Sequence, residues 1–340
     1  MTTAAAPPAA QPYPVHWISR RLPKGVIHGR TAAEIARRAR AADVVYTTGM
    51  FGRSSLGATL AHRPYVIKLT ADPAFERARR RGIVDGNVDE FQHVGGGPAV
   101  RVLRLARDAE LRRAAHIFTP SAYLRELALT WGVDPARVSV LPNPAPALPV
   151  LPPREELRRS FALTGPTLAF AGRLTAQKSL RVALEALAAV EDVELLIAGE
   201  GDERAALERD VAELGLGDRV RFLGALPRER VVELFAAADA SVLSSSWENF
   251  PHTVVEALAA GTPVIATATG GVAEVVRDGE NGLLVPLADA TALGEAIRRY
   301  VGDDELRARL RAAAAPSVAE YAPERVFAQL EQALLRTLGA

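Results

Sequence analysis

Residues 240–267, ASVLSSSWENFPHTVVEALAAGTPVIAT, hold in one stretch the alternation that sets the fold. Ala240–Leu243 reads as a short strand, Thr253–Ala260 as a helix and Pro263–Ala266 as a second strand. The same rhythm extends outward, with strands at Thr167–Ala171, Val193–Ala198, Val220–Leu223 and Gly282–Val285. Between them fall helices at Ser179–Val190, Glu203–Leu214, Glu229–Ala237, Val272–Arg277 and Ala290–Val301. Short apolar strands alternating with helices predict a parallel sheet covered on both faces. Ligands of such sheets bind beyond the carboxyl ends of the strands, so the loops that follow each strand carry the chemistry.

Toward the amino terminus the pattern changes. Residues Pro142–Pro153 carry six prolines and read as a linker. It separates an amino-terminal domain over 13–150 from a carboxyl-terminal domain over 151–325, and 326–340 is expected as a terminal helix that can pack back on the first domain. Helical patterning over Thr31–Ala42 is followed by strands at Asp43–Tyr46, Tyr65–Leu69, His116–Thr119 and Val138–Leu141. Met1–Pro12, rich in Ala, Pro and Thr without periodicity, is expected as a disordered tail.

The 340 residues suffice for two α/β domains. Cysteine is absent, which excludes disulfides and thiolate metal sites, and no apolar run is long enough to span a bilayer. The net charge of +1 hides an asymmetry: residues 1–150 hold 21 basic against 11 acidic residues, and 151–340 hold 20 against 29. The basic half invites an anionic partner, either a membrane surface or an anionic acceptor, unless the halves neutralise each other across a cleft. Nucleic acid is disfavoured, because no interleaved aromatics or reading motif accompany the charge.

Four loops stand out. The first strand of the second domain ends in Gly172-Arg173-Leu174, and Lys178 follows just before a helix. Two cations beside a helix N-terminus suit a diphosphate, although two solvated surface cations would look the same. Only Lys24, Lys68 and Lys178 are lysine among 41 basic residues, so the choice at 178 is informative. The next strand ends in Gly199-Glu200-Gly201, a tight turn that lacks the third glycine of a dinucleotide fingerprint. Glu248 and Glu256, with seven residues between them, place one carboxylate in a loop and the other in the first turns of a helix. Carboxylates there can accept from hexose and ribose hydroxyls, with backbone N–H groups of the same loop donating to the sugar. Thr269-Gly270-Gly271 precedes a helix with Glu274 in its first turn, and its glycines either let amides approach a phosphate or make a simple turn.

Taken in order, Ala171-Gly172-Arg173-Leu174, Lys178, Ala198-Gly199-Glu200-Gly201, Arg221-Phe222-Leu223-Gly224, the Glu248/Glu256 pair with Glu256-Ala257-Leu258-Ala259-Ala260-Gly261-Thr262-Pro263-Val264, and Gly270-Gly271 resemble the donor domain of retaining glycosyltransferases of family four. That resemblance implies the GT-B fold, two Rossmann-like domains facing across a cleft. It implies that Arg173 and Lys178 hold the diphosphate of a UDP- or GDP-sugar, that Glu256 holds the ribose, and that Glu248 with the backbone of Asn249, Phe250 and Pro251 holds the transferred sugar. Phe250-Pro251 stands where Phe-Gly is more usual, and Ser179 where glycine follows the lysine. The implied enzyme is a hexosyltransferase of cytoplasmic location, peripheral at the membrane's inner face if the basic half meets lipid, acting on a glycan, a lipid-linked or a small-molecule acceptor. It keeps no permanently bound cofactor. No Asp-x-Asp triplet supports a metal-bridged diphosphate, so a metal-independent mechanism is expected.

On the acceptor side, Ser121–Asn143 resembles the end of the family's first domain. Thr70-Ala71-Asp72 follows a strand where relatives place a cleft residue, which makes Asp72 a catalytic candidate against a plain Asp-Pro turn initiator. His62, His93, His116 and His252 read as structural or exposed. The family's opening strand, glycine-rich loop and helix have no counterpart before Val15, so the first domain is expected to lack that unit. A catalytically silent sugar-nucleotide-binding subunit that needs a partner protein is the alternative. An epimerase or phosphorylase and an NAD-dependent oxidoreductase are weaker readings.

Overall fold

The computed structural model describes residues 1–4 and 6–339; Ala5 of the expected tail, Ala340 of the expected terminal helix and the side chain of Lys24 lie outside the described residues. Two strands open the chain, β1 (Thr2–Ala4) and β2 (Trp17–Ser19), and pair in parallel. Then come β3 (Val45–Thr47), β4 (Tyr65–Lys68), β5 (His116–Thr119) and β6 (Val138–Val140), a four-stranded parallel sheet in that order. The second half supplies β7 (Thr167–Ala171), β8 (Glu194–Ala198), β9 (Val220–Gly224), β10 (Ala240–Leu243), β11 (Val264–Thr267) and β12 (Gly282–Val285). These six strands are all parallel, in the order β12-β11-β10-β7-β8-β9.

That order positions the site. The chain lays β8 and β9 on one side of β7, then returns to lay β10, β11 and β12 on the other. β7 and β10 are therefore neighbours, with Ala240 opposite Leu168, and the chain's direction reverses between them. At such a switch point the loops after both strands diverge and leave a crevice. Every residue of β7 and of β10 is buried, because helices cover both faces of the sheet.

Two departures from the sequence reading concern the front. Thr2–Ala4 is a strand rather than disordered, held by Thr2 N–H to the His16 carbonyl and Arg20 N–H to the Ala4 carbonyl, each 2.8 Å. β-branched threonines tolerate the extended backbone once a ladder partner is supplied, and that partner lies outside any local window. The first helix runs Lys24–Ala39, starting seven residues before the expected Thr31. Pro23 fixes the chain at its start, so Gly25 and Gly29 do not delay it.

The halves are packed together. Trp247 lies in an apolar cluster with Phe75, Phe91 and Leu103 of the first half, edge-on to Phe75 with centroids 6.1 Å apart. The terminal helix Pro323–Gly339 returns to the first sheet, where Val326 meets Val66, Phe118 and Leu141. Among the described residues no helix is long and apolar enough to cross a membrane.

Candidate functional site

The loop after β7 carries Gly172, Arg173 and Lys178. Gly172 has φ +157, and Gly199, after β8, has φ +144; a Cβ on Gly199 would stand 1.8 Å from the Gly172 carbonyl oxygen. Only glycine lets the two loops pass so closely. Gly199 donates its N–H to the Gly224 carbonyl at 2.7 Å, so its part is to shape the floor, with its amide already spent. Above that floor is a hollow of about 490 Å³ lined by Gly172, Arg173, Gly199, Leu226, Arg228 and Glu256, among others.

Glu256 enters from the helix His252–Ala259 and accepts from Arg228 Nη2 at 3.3 Å. Burial raises its carboxyl pKa, and the Arg228 guanidinium works against that rise. Arg173 is exposed and makes no ion pair among the described residues. The unpaired Arg173 and the Glu256 carboxylate, held by the exposed Arg228, both line the same hollow.

Glu248 belongs to the loop after β10. Its Oε1 lies 2.5 Å from Lys178 Nζ and accepts from Ser245 Oγ at 2.8 Å, which leaves Oε2 for a ligand hydroxyl. The Lys178 stem passes this glycine floor, with its Cε 3.7 Å from the position a Gly172 Cβ would take. The loop after β7 thus carries both cations, Arg173 at the hollow that Glu256 also lines and Lys178 paired with Glu248 of the loop after β10. Asn249 is buried; its Nδ2 donates to the Thr70 carbonyl of the first half, and its Oδ1 has no partner. Phe250 turns inward, edge-on to Tyr321 with centroids 5.6 Å apart, so at Phe250-Pro251 the backbone is what the site can use. Gly270 and Gly271 serve the protein itself: Gly271 N–H donates to the Glu248 carbonyl at 2.9 Å, and a Gly270 Cβ would stand 1.9 Å from that oxygen. The two glycines pack the turn against the Glu248 loop, and Gly271 N–H is already spent on the Glu248 carbonyl, so it does not supply the expected phosphate contact.

Asp72 is also corrected. It is fully buried, caps the helix Pro73–Arg79 by accepting from Ala74 N–H at 2.8 Å, and pairs with Arg107 Nη1 at 3.0 Å and Gln92 Nε2 at 3.1 Å. Its oxygens are engaged away from the cleft, so it braces the loop after β4 and touches no substrate. Four groups at the site escaped sequence reading. Arg228 meets Glu256, and His252 Nε2 lies 3.1 Å from Asn143 Nδ2. Lys68, at the end of β4, is buried and donates to the carbonyls of Leu141 and Pro142. Burial lowers its pKa to about 8. The His252 pKa is pushed down first by desolvation; the Glu248 charge opposes this, and Lys68, Arg228 and Lys178 add to it. The rarity of lysine that marked Lys178 could have marked Lys68 equally. The fourth is Ser245, behind Glu248.

A second hollow, about 460 Å³, opens between the halves against Phe75, Arg79, Asn87, Gln177, Ser246 and Trp247. A third, about 550 Å³, lies within the first half near Phe51 and Val102 and shares no residue with the site.

Comparison with known proteins identifies the family. Residues 153–316 match the family described as glycosyl transferases group 1, and residues 3–144 match a glycosyl transferase 4-like domain. The lipopolysaccharide core biosynthesis glycosyltransferase LpsE of Rhizobium meliloti is 39% identical over 145 residues, 43% of this chain and 42% of the relative. A D-inositol 3-phosphate glycosyltransferase of Corynebacterium urealyticum is 35% identical over 197 residues, 54% of this chain and 46% of the relative. The chain thus spans less than half the length of these curated relatives. The crystal structure of Anabaena Alr3699/HepE in complex with UDP-glucose superposes with a TM-score of 0.78 at 21% identity, covering 95% of this chain and 86% of that one.

Proposed function

From the premise that this chain belongs to the glycosyl transferases group 1 family and has the GT-B fold, we propose that it moves a hexose-type sugar from a nucleoside diphosphate sugar to an acceptor hydroxyl, with retention at the anomeric carbon. One observation carries the reading: Arg173 and Glu256 line a single hollow whose floor leads along Lys178 to Glu248. The ribose diol donates to Glu256 and displaces Arg228. The diphosphate lies over the Gly172–Gly199 floor between Arg173 and Lys178. A hexose hydroxyl donates to Glu248 Oε2, and the backbone of Asn249, Phe250 and Pro251 meets the sugar.

In the reaction the anomeric carbon–oxygen bond breaks, and its electron pair leaves with the diphosphate, whose charge Arg173 and Lys178 stabilise without a metal. The acceptor oxygen attacks from the same face as the leaving group and passes its proton to the departing phosphate oxygen. The acceptor enters through the hollow between the halves and is held there by groups from both. A UDP-sugar is the first donor to test, since HepE was solved with UDP-glucose and the folds superpose. Relatives named for lipopolysaccharide core biosynthesis, D-inositol 3-phosphate and 2-deoxystreptamine support a hydroxyl-rich acceptor, and the basic first half suits an anionic one. The reading includes a cytoplasmic location, peripheral at the inner face of the membrane if the basic half meets anionic lipid.

A thermal-shift screen across UDP- and GDP-sugars tests the reading. The donor raises the melting temperature in proportion to the logarithm of its concentration, and Glu256→Ala loses the shift. No shift with any nucleotide sugar contradicts it.

A further inference from the structure

The start of the helix Val272–Val275 is keyed to the acid loop. Gly271 N–H donates to the Glu248 carbonyl, Thr269 Oγ1 donates to the Ser246 carbonyl at 3.2 Å, and a Gly271 Cβ would stand 2.1 Å from the Asn249 carbonyl oxygen. From this short helix Glu274 reaches across to the first half. Its Oε2 accepts from Ala122 N–H and its Oε1 from Tyr123 N–H, each at 2.7 Å. Those amides open the helix Ala122–Thr130, whose own cap Ser121 takes a third amide, that of Leu124, at 3.2 Å. A carboxylate accepting from first-turn amides gains both charge-assisted hydrogen bonds and the favourable end of the helix dipole.

Tyr123 is then held a second time from the same side, because its hydroxyl accepts from Trp247 Nε1 at 3.2 Å. Trp247 and Asn249 flank Glu248, and both bond to the first half while the Glu248 carboxylate pairs with Lys178. Gly271 fits against Ser121, with 3.1 Å between its would-be Cβ and the Ser121 Cβ, which leaves no room for a longer bridge.

We propose that Glu274 is a positioning residue that ties closure of the two halves to the placement of Glu248. When the halves meet, the amides of Ala122 and Tyr123 seat the carboxylate, and the Gly270-Gly271 turn transmits that seat to the backbone of Glu248 and Asn249. Nucleotide binding uses the hollow of the second half and does not require the clamp. Sugar placement does. The inference rests on the glycosyltransferase reading only for its turnover readout.

The test compares the wild type with Glu274→Ala and Glu274→Gln, using UDP and GDP as probes in calorimetry, small-angle scattering of the full chain with nucleotide, and hydrolysis of a nucleotide sugar. Expected are nucleotide dissociation constants within about twofold of wild type, a larger radius of gyration in Glu274→Ala, and a hydrolysis kcat about 10- to 100-fold lower. Glu274→Gln, which keeps one oxygen acceptor, falls between and carries the test alone if the alanine variant does not fold. Unchanged scattering and unchanged kcat overturn the inference, as does a kcat loss matched by an equal loss of nucleotide affinity. A wild type that binds no nucleotide fails the family activity instead, and scattering of the free proteins still decides the clamp.

Discussion

Lys178 Nζ and Glu248 Oε1 stand 2.5 Å apart although seventy residues separate them, and their side chains keep only 16% and 9% exposure. The sheet order explains the meeting, because β7 and β10 are neighbours only through the reversal between them. Removing one partner leaves the other charge withdrawn from water. Lys178→Ala is expected to cost about 2–4 kcal/mol in denaturant unfolding. It also lowers turnover by about 100-fold or more, since a stabiliser of leaving-group charge is lost. Undiminished activity removes Lys178 from the site.

Glu256 is expected to trade stability for binding. Its folded pKa is raised, so the protonated form is the one the fold favours. That preference acts fully below the ordinary carboxylate pKa and is lost as pH rises through the folded value, so the ionised group is a burden at neutral pH. Glu256→Gln therefore melts at or above the wild-type temperature at pH 7 without nucleotide. The same variant binds UDP or GDP about 10- to 100-fold more weakly by calorimetry, the size of one or two lost charged hydrogen bonds. A variant several degrees less stable at pH 7, with intact binding, contradicts the assignment.

Asp72 gives the reverse pattern. Its pair with Arg107 is buried on both sides, at 0% and 4% exposure. Asp72→Asn keeps the helix cap but takes one of two carboxylates from the buried Arg107 guanidinium, which retains Asp108 at 2.9 Å, at a cost of about 1–3 kcal/mol. Turnover per folded molecule stays within tenfold of wild type. A kcat loss above 100-fold with unchanged unfolding would falsify this structural role.

Lys68 should be visible in pH dependence. Burial lowers its pKa from 10.5 to about 8, so the charged form carries the penalty. That penalty is complete below pH 8 and fades as pH rises toward 10.5, the value in the unfolded chain. The melting-temperature difference between wild type and Lys68→Met accordingly moves in favour of the wild type from pH 7 to 9.5. A difference constant across that range places the amine in solvent.

The second half was legible because its signals are local. Strand, loop and helix follow one another within thirty residues, and β7, β10 and β12 start and end as read. Of the residues that line the 490 Å³ hollow, Gly172, Arg173 and Gly199 sit in the loops the alternation pointed to. What escaped depends on long-range partners. Asp72 looked like a cleft residue because Arg107 lies 35 positions away on another helix. Glu274 looked like a helix-start acid because the amides it accepts from are about 150 positions earlier. Arg228 carries no motif, and only the neighbouring placement of the β9 loop and the helix His252–Ala259 brings it to Glu256.

The most direct measurement is a crystal structure of the full chain with a bound UDP- or GDP-sugar. The account predicts ribose hydroxyls within 3.2 Å of the Glu256 carboxylate and phosphate oxygens between Arg173 and Lys178, with the sugar against Glu248, at ordinary hydrogen-bond lengths. A nucleotide seated elsewhere, in the hollow near Phe51 and Val102 for example, would contradict it.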